Sequence, residues 1–226
     1  MKIIDLTHAI RDGMPVYPGD PPPAIRRALT HEENYCHVDE LRLGSHTGTH
    51  IDAPFHFLKE GRTIDAIPLE RFVGPGVLID ASGKEDLAAI GETDLSPAAG
   101  AIRSGDFVLL RTDWDRFFGT EQYLRHPYLN AGGARFLLGL GVSLVGIDAM
   151  SIDSSAADAA GIEPGAQLKK EDAYPAHDVL LGSGVLIVEN LCNLKLVPAG
   201  RGLFSFLPLK LTGSDGSPVR AVYMAP

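Results

Sequence analysis

Residues 44–56 read GSHTGTHIDAPFH, a segment that gathers three histidines and one aspartate between positions 46 and 56. Its glycine, proline and β-branched residues disfavour a helix and predict a strand or a tight extended loop. In an extended segment, side chains two positions apart point to the same side. We therefore expect His46, His50 and Asp52 to share one face, with Gly48 between them leaving room for an ion.

Two imidazoles and one carboxylate form a common ligand set for a catalytic zinc, manganese or iron ion. Three protein ligands leave coordination positions open for water and substrate, and a bound ion lowers the pKa of water from about 15.7 toward about 7. His56 follows with the same parity. Because an imidazole titrates near pH ~6.5, His56 is predicted to transfer protons. The alternative interpretation of this segment is a polar loop network without a metal.

Further ligands could come from a later segment, YPAHDVLLGSGVLIVEN, which contains His177 and Glu189. Glu189 ends an apolar, strand-like run, and strand ends are rigid supports for metal ligands. The spacing alone does not separate a ligand pair from a surface histidine and a solvated glutamate.

The rest of the chain predicts a mixed α/β domain. Short apolar runs bounded by Gly, Asp or Pro are typical of strands buried on both faces. These runs are residues 2–6, 76–80, 106–112, 143–148 and 184–190. Helices are expected near 96–103, from Ala131 to about Leu140 after an Asn130 cap, and from Pro175 to Leu181. Residues 203–211 and 218–225 predict an antiparallel hairpin or meander.

Composition limits the class of protein. The chain has 226 residues and a net charge of −9, which argues against nucleic-acid binding. Apolar stretches stay shorter than the ~18 residues of a membrane span. The N-terminal MKIIDLTHAI does not read as a signal peptide. Only two cysteines, Cys36 and Cys192, are present, and we expect both to be buried in a reducing, cytoplasmic protein.

Two other enzyme classes are disfavoured by their motifs. The central position of GSHTG is His46, so the segment lacks the nucleophilic serine of a hydrolase elbow. The glycines of GLGVSLVG at 139–146 do not have the spacing of a dinucleotide-binding loop.

The segment HTGTHIDAPFHF resembles the signature of the cyclase family of metal-dependent hydrolases, which includes bacterial kynurenine formamidase and isatin hydrolase. The family pattern reads His-x-Gly-Thr-His-x-Asp-x-Pro-x-His. The similarity extends to DLTHAIRDGMPVYPGD, VGIDAMSID and LPLKLTGSDGSPVRAV, and so covers most of the chain.

The resemblance implies a role for each matching residue. The implied metal ligands are His46, His50, Asp52, His177 and Glu189. Asp52 would bridge to a second ion where two are present. His56 matches the proton donor and acceptor. Tyr17 matches an aromatic position of the substrate pocket that is often Trp or Phe in relatives.

The resemblance also implies a fold and an activity. The fold is a swivelling β/β/α domain with a mixed central sheet and additional antiparallel strands, formed by residues 1–226 as a single domain. Zn²⁺, or alternatively Mn²⁺, is expected as one or two ions per subunit, in a homodimer or tetramer. The expected activity is hydrolysis of a C–N bond in a small linear or cyclic amide, foremost that of N-formylkynurenine. A cyclic amide or lactone hydrolase, a cyclase, and a non-catalytic metal- or ligand-binding module are the alternatives.

Overall fold

A computed structural model of the protein describes residues 2–155 and 173–225. Its strands are β1 (Ile3–Asp5), β2 (Ala24–Leu29), β3 (Val38–Arg42), β4 (His50–Asp52), β5 (Val73–Asp80), β6 (Ala89–Ile90), β7 (Phe107–Arg111), β8 (Tyr128–Leu129), β9 (Leu144–Ile147), β10 (Leu186–Glu189), β11 (Arg201–Ser205), β12 (Gly216–Pro218) and β13 (Val222–Met224).

The α-helices are short, and several single turns of 3₁₀ helix connect the strands. The helices are α1 (His31–Asn34), α2 (Glu92–Leu95), α3 (Ala131–Gly139) and α4 (Pro175–Gly182). The 3₁₀ turns are Pro54–His56, Ile64–Ala66, Leu69–Arg71, Ser96–Ala101, Trp114–Phe117, Glu121–Arg125 and Leu194–Leu196. Among the residues described, no helix has both the length and the apolar character needed to cross a bilayer.

In the described part of the chain, nine strands form one mixed sheet in the order β1-β13-β11-β5-β7-β9-β10-β4-β12. The four central strands β5, β7, β9 and β10 run parallel, and the strands outside them pair antiparallel. Two small sheets, β2–β3 and β6–β8, lie outside it. The predicted mixed α/β fold with a mixed central sheet is confirmed.

The central strands bury both faces, as their continuous apolar sequences predict. Along β7, Val108 and Leu110 face the core that contains residues of α3 and α4, whereas Phe107 and Leu109 face a second core on the opposite side. All four side chains are almost completely buried. The parallel strands therefore form a rigid support whose carboxyl ends are fixed in position.

The C-terminal strands only partly follow the prediction of a hairpin or meander. Strands β11 and β13 pair antiparallel, with Leu203 opposite Met224, as expected. The chain between them does not turn back directly, however. It crosses to the other edge of the sheet, where β12 pairs with β4. The helix expected near 96–103 is instead a 3₁₀ helix, Ser96–Ala101, that directly follows α2.

The two cysteines have different environments. Cys192 is buried, as predicted, but the prediction for Cys36 is wrong because it is exposed. Cys36 lies between α1 and β3, in a segment whose neighbouring strand β3 is exposed at every residue. Cys36 shares this exposed environment.

Helix α3 begins as its sequence predicts. The side chain of Asn130 accepts a hydrogen bond of 2.8 Å from the Gly133 amide. We expect Asn130→Ala to lower the free energy of unfolding by about 1 kcal/mol, because this amide loses its acceptor. Urea denaturation would measure the change. Asn130→Asp, which keeps a capping oxygen, should stay close to the parent, and an equal loss in both variants would contradict the capping role.

Candidate metal centre

The centre forms where the carboxyl end of β10 meets the first residue of β4. These strands pair antiparallel, with Glu189 opposite His50 and Ile187 opposite Asp52. Residues directly opposite each other in an antiparallel pair project to the same face and lie close together. His50, Asp52 and Glu189 therefore converge, and the Nε2 atom of His50 lies 3.3 Å from Asp52 Oδ1 and 3.5 Å from Glu189 Oε2.

Helix α4 brings the fourth predicted ligand to the same face. His177 lies in the first turns of this helix and is 3% exposed. Its Nε2 atom lies 3.3 Å from Glu189 Oε1 and 3.6 Å from Asp52 Oδ2. Residues far apart in the sequence thus meet at the end of the sheet, where open α/β folds commonly place their sites.

His46 reaches the centre by a route that differs from the predicted one. The strand begins only at His50, because Gly48 turns the chain with a φ of +64°. The rule of alternating side chains therefore does not apply to His46. The turn instead folds back, and His46 Nδ1 lies 2.8 Å from Asp52 Oδ1.

Gly48 has a role in the turn that the sequence analysis did not assign to it. A Cβ atom at this position would lie 3.0 Å from Met14 Cε, and its backbone has the left-handed conformation that glycine tolerates best. The positive φ of the turn thus favours glycine here, and Gly48 also lines the pocket above the centre.

His56 lies beside these ligands but on a different element. The chain leaves the extended conformation after Ala53, and Pro54–His56 forms a 3₁₀ turn. The imidazole of His56 packs 4.0 Å from that of His46, measured between ring centroids. His56 is therefore next to the centre, although the parity used to predict this does not continue through Pro54.

A pocket of about 250 Å³ opens above the centre. His46, His50, His177 and Glu189 line it, together with His56. Tyr17, the predicted substrate contact, lines the same pocket, and so do two aromatic side chains that the sequence analysis did not single out, Phe57 and Tyr174. Phe57 stacks on His177 with 4.5 Å between ring centroids.

Each histidine of the centre directs one nitrogen inward because the other nitrogen donates a hydrogen bond to a fixed acceptor. His50 Nδ1 donates to the Gly48 carbonyl at 2.7 Å, and His177 Nδ1 donates to Asp153 Oδ2 at 2.7 Å. Both residues therefore present Nε2. His46 presents the other ring nitrogen, since its Nε2 lies 2.9 Å from Asp215 Oδ2 and its Nδ1 faces Asp52. Such outer hydrogen bonds set the tautomer of metal-binding histidines.

Asp52 provides the test of whether a metal ion fits. Its carboxylate is completely buried, and imidazole nitrogens lie 2.8 to 3.6 Å from its oxygens without reaching hydrogen-bond geometry in the described part of the chain. A buried ionised carboxylate left in this way is strongly destabilising unless a cation neutralises it. Two groups of possible ligand atoms share Asp52, one with His46 and His50 and the other with His177 and Glu189. Imidazole and carboxylate donors of this kind suit zinc or manganese.

The electrostatics of the centre favour a cation. Burial alone would lower the pKa of His50, but the neighbouring Asp52 and Glu189 carboxylates raise it to about 10. Burial would raise the pKa of Glu189, whereas its hydrogen bonds with His177 and His50 lower it to about 2. The two carboxylates therefore attract positive charge strongly, and a divalent cation supplies it at the same place.

Three residues near the centre were missed by the sequence analysis. Asp153 orients His177 and also accepts hydrogen bonds from the first amides of α4. Gly216 lies opposite Asp52, and a Cβ atom there would lie 3.0 Å from His46 Cε1. Asp215 contacts His46 and His56. Both residues lie in TGSDGS, whose composition predicts only a turn.

Comparisons with known proteins agree with this geometry. The family model described as "Putative cyclase" matches residues 4–154. A kynurenine formamidase from Salinibacter ruber is 33% identical over 231 residues, covering 98% of this chain and 97% of the relative.

Solved structures give the same result. Isatin hydrolase A from Labrenzia aggregata, bound to benzyl benzoate, has a TM-score of 0.87 at 28% identity, covering 99% of this chain and 93% of that one. A protein described as a potential metal-dependent hydrolase with cyclase activity has a TM-score of 0.77 at 33% identity and covers 100% and 99%. With a family match over most of its length and full-length relatives, this chain belongs to the cyclase family.

Proposed function

We propose that this protein is a metal-dependent hydrolase that cleaves the C–N bond of a small amide, with N-formylkynurenine or a related aryl formamide as substrate. The buried Asp52 carboxylate, surrounded by imidazole nitrogens at the floor of an aromatic pocket, is the observation that carries this proposal. The similarity to proteins named kynurenine formamidases supports the choice of substrate.

The proposed metal ligands fall into two sets that share one residue. His46, His50 and Asp52 would hold one ion, and Asp52, His177 and Glu189 would hold a second. Zinc is the proposed metal, with manganese as the alternative. A bound ion of this kind lowers the pKa of a water molecule and polarises the carbonyl oxygen of the substrate.

His56 is proposed to transfer the protons of the reaction. Its Nδ1 atom lies 3.2 Å from Asp215 Oδ2, an acceptor, so Nε2 is the nitrogen left to exchange protons. The side chain is 28% exposed and lines the pocket, so substrate and water can reach it. His56 would accept a proton from the attacking water and return it to the nitrogen that leaves. One water is consumed, and formate and the free amine are formed.

The pocket walls suit a flat aromatic substrate. Tyr17, Phe57 and Tyr174 present ring surfaces around the opening above the centre. Phe57 and Tyr174 meet edge to face at 5.6 Å between centroids. Aromatic walls bind planar rings by offset stacking and by removing apolar area from water. The proposed contact of Tyr17 with substrate would then hold the aryl group while the formyl carbon lies over the metal ligands.

A second candidate is hydrolysis of a cyclic amide, and one observation favours it. The structure with the TM-score of 0.87 is that of an isatin hydrolase. The ligand set would serve both reactions, because each begins with attack of water on an amide carbonyl. The remaining alternatives would use the same site. A lactone hydrolase or a cyclase would differ in the substrate that it turns over, and a non-catalytic module would bind without turnover.

We also propose that the protein works as a homodimer or larger homo-oligomer in the cytoplasm. The separate β2–β3 sheet supports assembly, because it exposes Leu41 at 61% and Val38 at 45%. A two-stranded sheet alone is marginally stable in water, and a partner would cover these side chains. Light scattering of the purified protein would measure the assembly.

The first prediction concerns metal binding. Asp52→Asn should lose zinc, measured by elemental analysis. The difference in melting temperature between zinc-loaded and chelator-treated protein should shrink toward zero, because only the native centre binds the ion. Asp178→Asn, on an exposed neighbour of His177, is the matched control and should behave as the parent does. Parental zinc content in Asp52→Asn would refute the proposed ligand role.

The second prediction concerns proton transfer. His56→Asn should lower kcat by about 10²- to 10⁴-fold while zinc content stays near that of the parent, because His56 is not a proposed ligand. Steady-state kinetics and elemental analysis of the same preparation would measure both. His37→Asn, at an exposed histidine beside Asp39, serves as the control. Unchanged turnover would remove His56 from the mechanism.

The third prediction concerns substrate class. N-formylkynurenine should be hydrolysed with a kcat/KM at least about tenfold above that for isatin or simple lactones, and a chelator should abolish the activity. Faster hydrolysis of isatin would favour the second candidate. Binding without turnover across the whole panel would favour the non-catalytic module.

A further inference from the structure

The backbone of Asp215 is fixed beside the strand that carries the proposed ligands. Asp215 immediately precedes β12, which pairs with β4. Its carbonyl oxygen accepts a hydrogen bond of 2.9 Å from the Ala53 amide, and the neighbouring Ser214 carbonyl accepts one of 2.8 Å from Ile64. The position of Asp215 relative to His50 and Asp52 is therefore set by the sheet.

The side chain of Asp215 contacts two histidines with a single oxygen atom. Its Oδ2 lies 2.9 Å from His46 Nε2 and 3.2 Å from His56 Nδ1. The two imidazole rings lie 4.0 Å apart between centroids, so both can reach one acceptor. The other carboxylate oxygen, Oδ1, lies 3.5 Å from the hydroxyl of the neighbouring Ser214.

These contacts differ from those of an ordinary turn aspartate. Such a residue uses its carboxylate to accept from amides one or two positions away. Asp215 instead bonds to side chains 169 and 159 positions distant in the sequence. Its carboxylate is half-buried, with 33% of the side chain exposed, beside His46 and His56. The contacts therefore indicate a role in the centre.

We propose that Asp215 is a positioning residue that fixes the orientation and tautomer of both His46 and His56. A carboxylate can only accept, so each nitrogen that faces it carries a hydrogen. His46 must then offer Nδ1 to the metal, and His56 must offer Nε2 to the pocket. For His46 this depends only on metal binding, whereas for His56 it rests on the proposed function.

One carboxylate thus links a proposed metal ligand to the proposed proton carrier. Without it, both imidazoles could rotate, and His46 could present the wrong nitrogen to the ion. Removing an outer hydrogen-bond partner of a metal-binding histidine typically costs about 10- to 100-fold in metal affinity or activity. We expect both losses here from a single substitution.

The test compares Asp215→Ala and Asp215→Asn with the parent, each as zinc-loaded full-length protein. Competition with a chromophoric chelator should show zinc held about 10- to 100-fold more weakly in Asp215→Ala. On N-formylkynurenine, kcat should fall by a similar factor while KM changes less than about threefold, because the pocket walls stay in place. Asp215→Asn should be intermediate, since its amide oxygen can take the place of Oδ2 and accept from both rings but carries no negative charge.

Asp65→Ala is the matched control. Asp65 accepts from the Gly213 amide at 3.1 Å in the same loop, so its loss loosens the loop without removing the Asp215 carboxylate. It should retain zinc and turnover. Equal losses in Asp65→Ala and Asp215→Ala would show that only the loop matters and would overturn the inference.

The outcomes separate this inference from the proposed function. Parental zinc retention and kcat in Asp215→Ala, alongside amide hydrolysis by the parent, would overturn the inference and leave the function intact. If the parent hydrolyses none of the amides, the chelator competition still tests whether Asp215 positions His46. Weaker zinc binding in Asp215→Ala would then support positioning of His46, and unchanged binding would overturn it.

Discussion

The structure depends on the burial of two carboxylates at one end of the main sheet. Asp52 and Glu189 are almost completely removed from water, and imidazole nitrogens lie 2.8 to 3.6 Å from the oxygens of Asp52. A buried negative charge requires positive charge close by. Three imidazoles surround the carboxylates, and a cation bound between them would supply the positive charge. The strands, the helix α4 and the loop at Asp215 are arranged so that this compensation is possible.

The fold achieves the arrangement by changing strand direction at β4. Strands β5, β7, β9 and β10 run parallel, but β4 runs against them. The end of β10 therefore lies beside the beginning of β4, which places Glu189 opposite His50. A parallel strand at this edge would put its residues in a different register. The apolar cores on both faces of the sheet hold this junction rigid, and the proposed ligands are therefore attached to a rigid backbone.

The sequence predicts the parts of this structure that local physics determines. Continuous apolar runs indicate the central strands, and Asn130 indicates the start of α3. The cluster at 46–56 indicates a metal site because so many ligand types occur together. The geometry of the cluster is less predictable. Gly48 turns the chain, so His46 approaches Asp52 from a turn and not from a strand.

Contacts across long sequence distances could not be predicted. Asp215 and Gly216 read as turn residues, because nothing local indicates that β12 returns to β4. Asp153 is one acidic residue among many until the fold places it at the first amides of α4. Similarly, Cys36 is exposed beside β3, a strand whose residues are all exposed, and its local sequence does not indicate this. Resemblance to a family supplied His177 and Glu189, which spacing alone left undecided.

The centre is assembled from residues spread between His46 and Asp215, almost the whole length of the chain. During synthesis, β4 emerges from the ribosome long before β10 and β12, which flank it in the sheet. The complete set of proposed ligands can therefore come together only after β10 and β12 have been synthesised. Capture of a cation then stabilises only molecules in which these distant strands have already paired with β4.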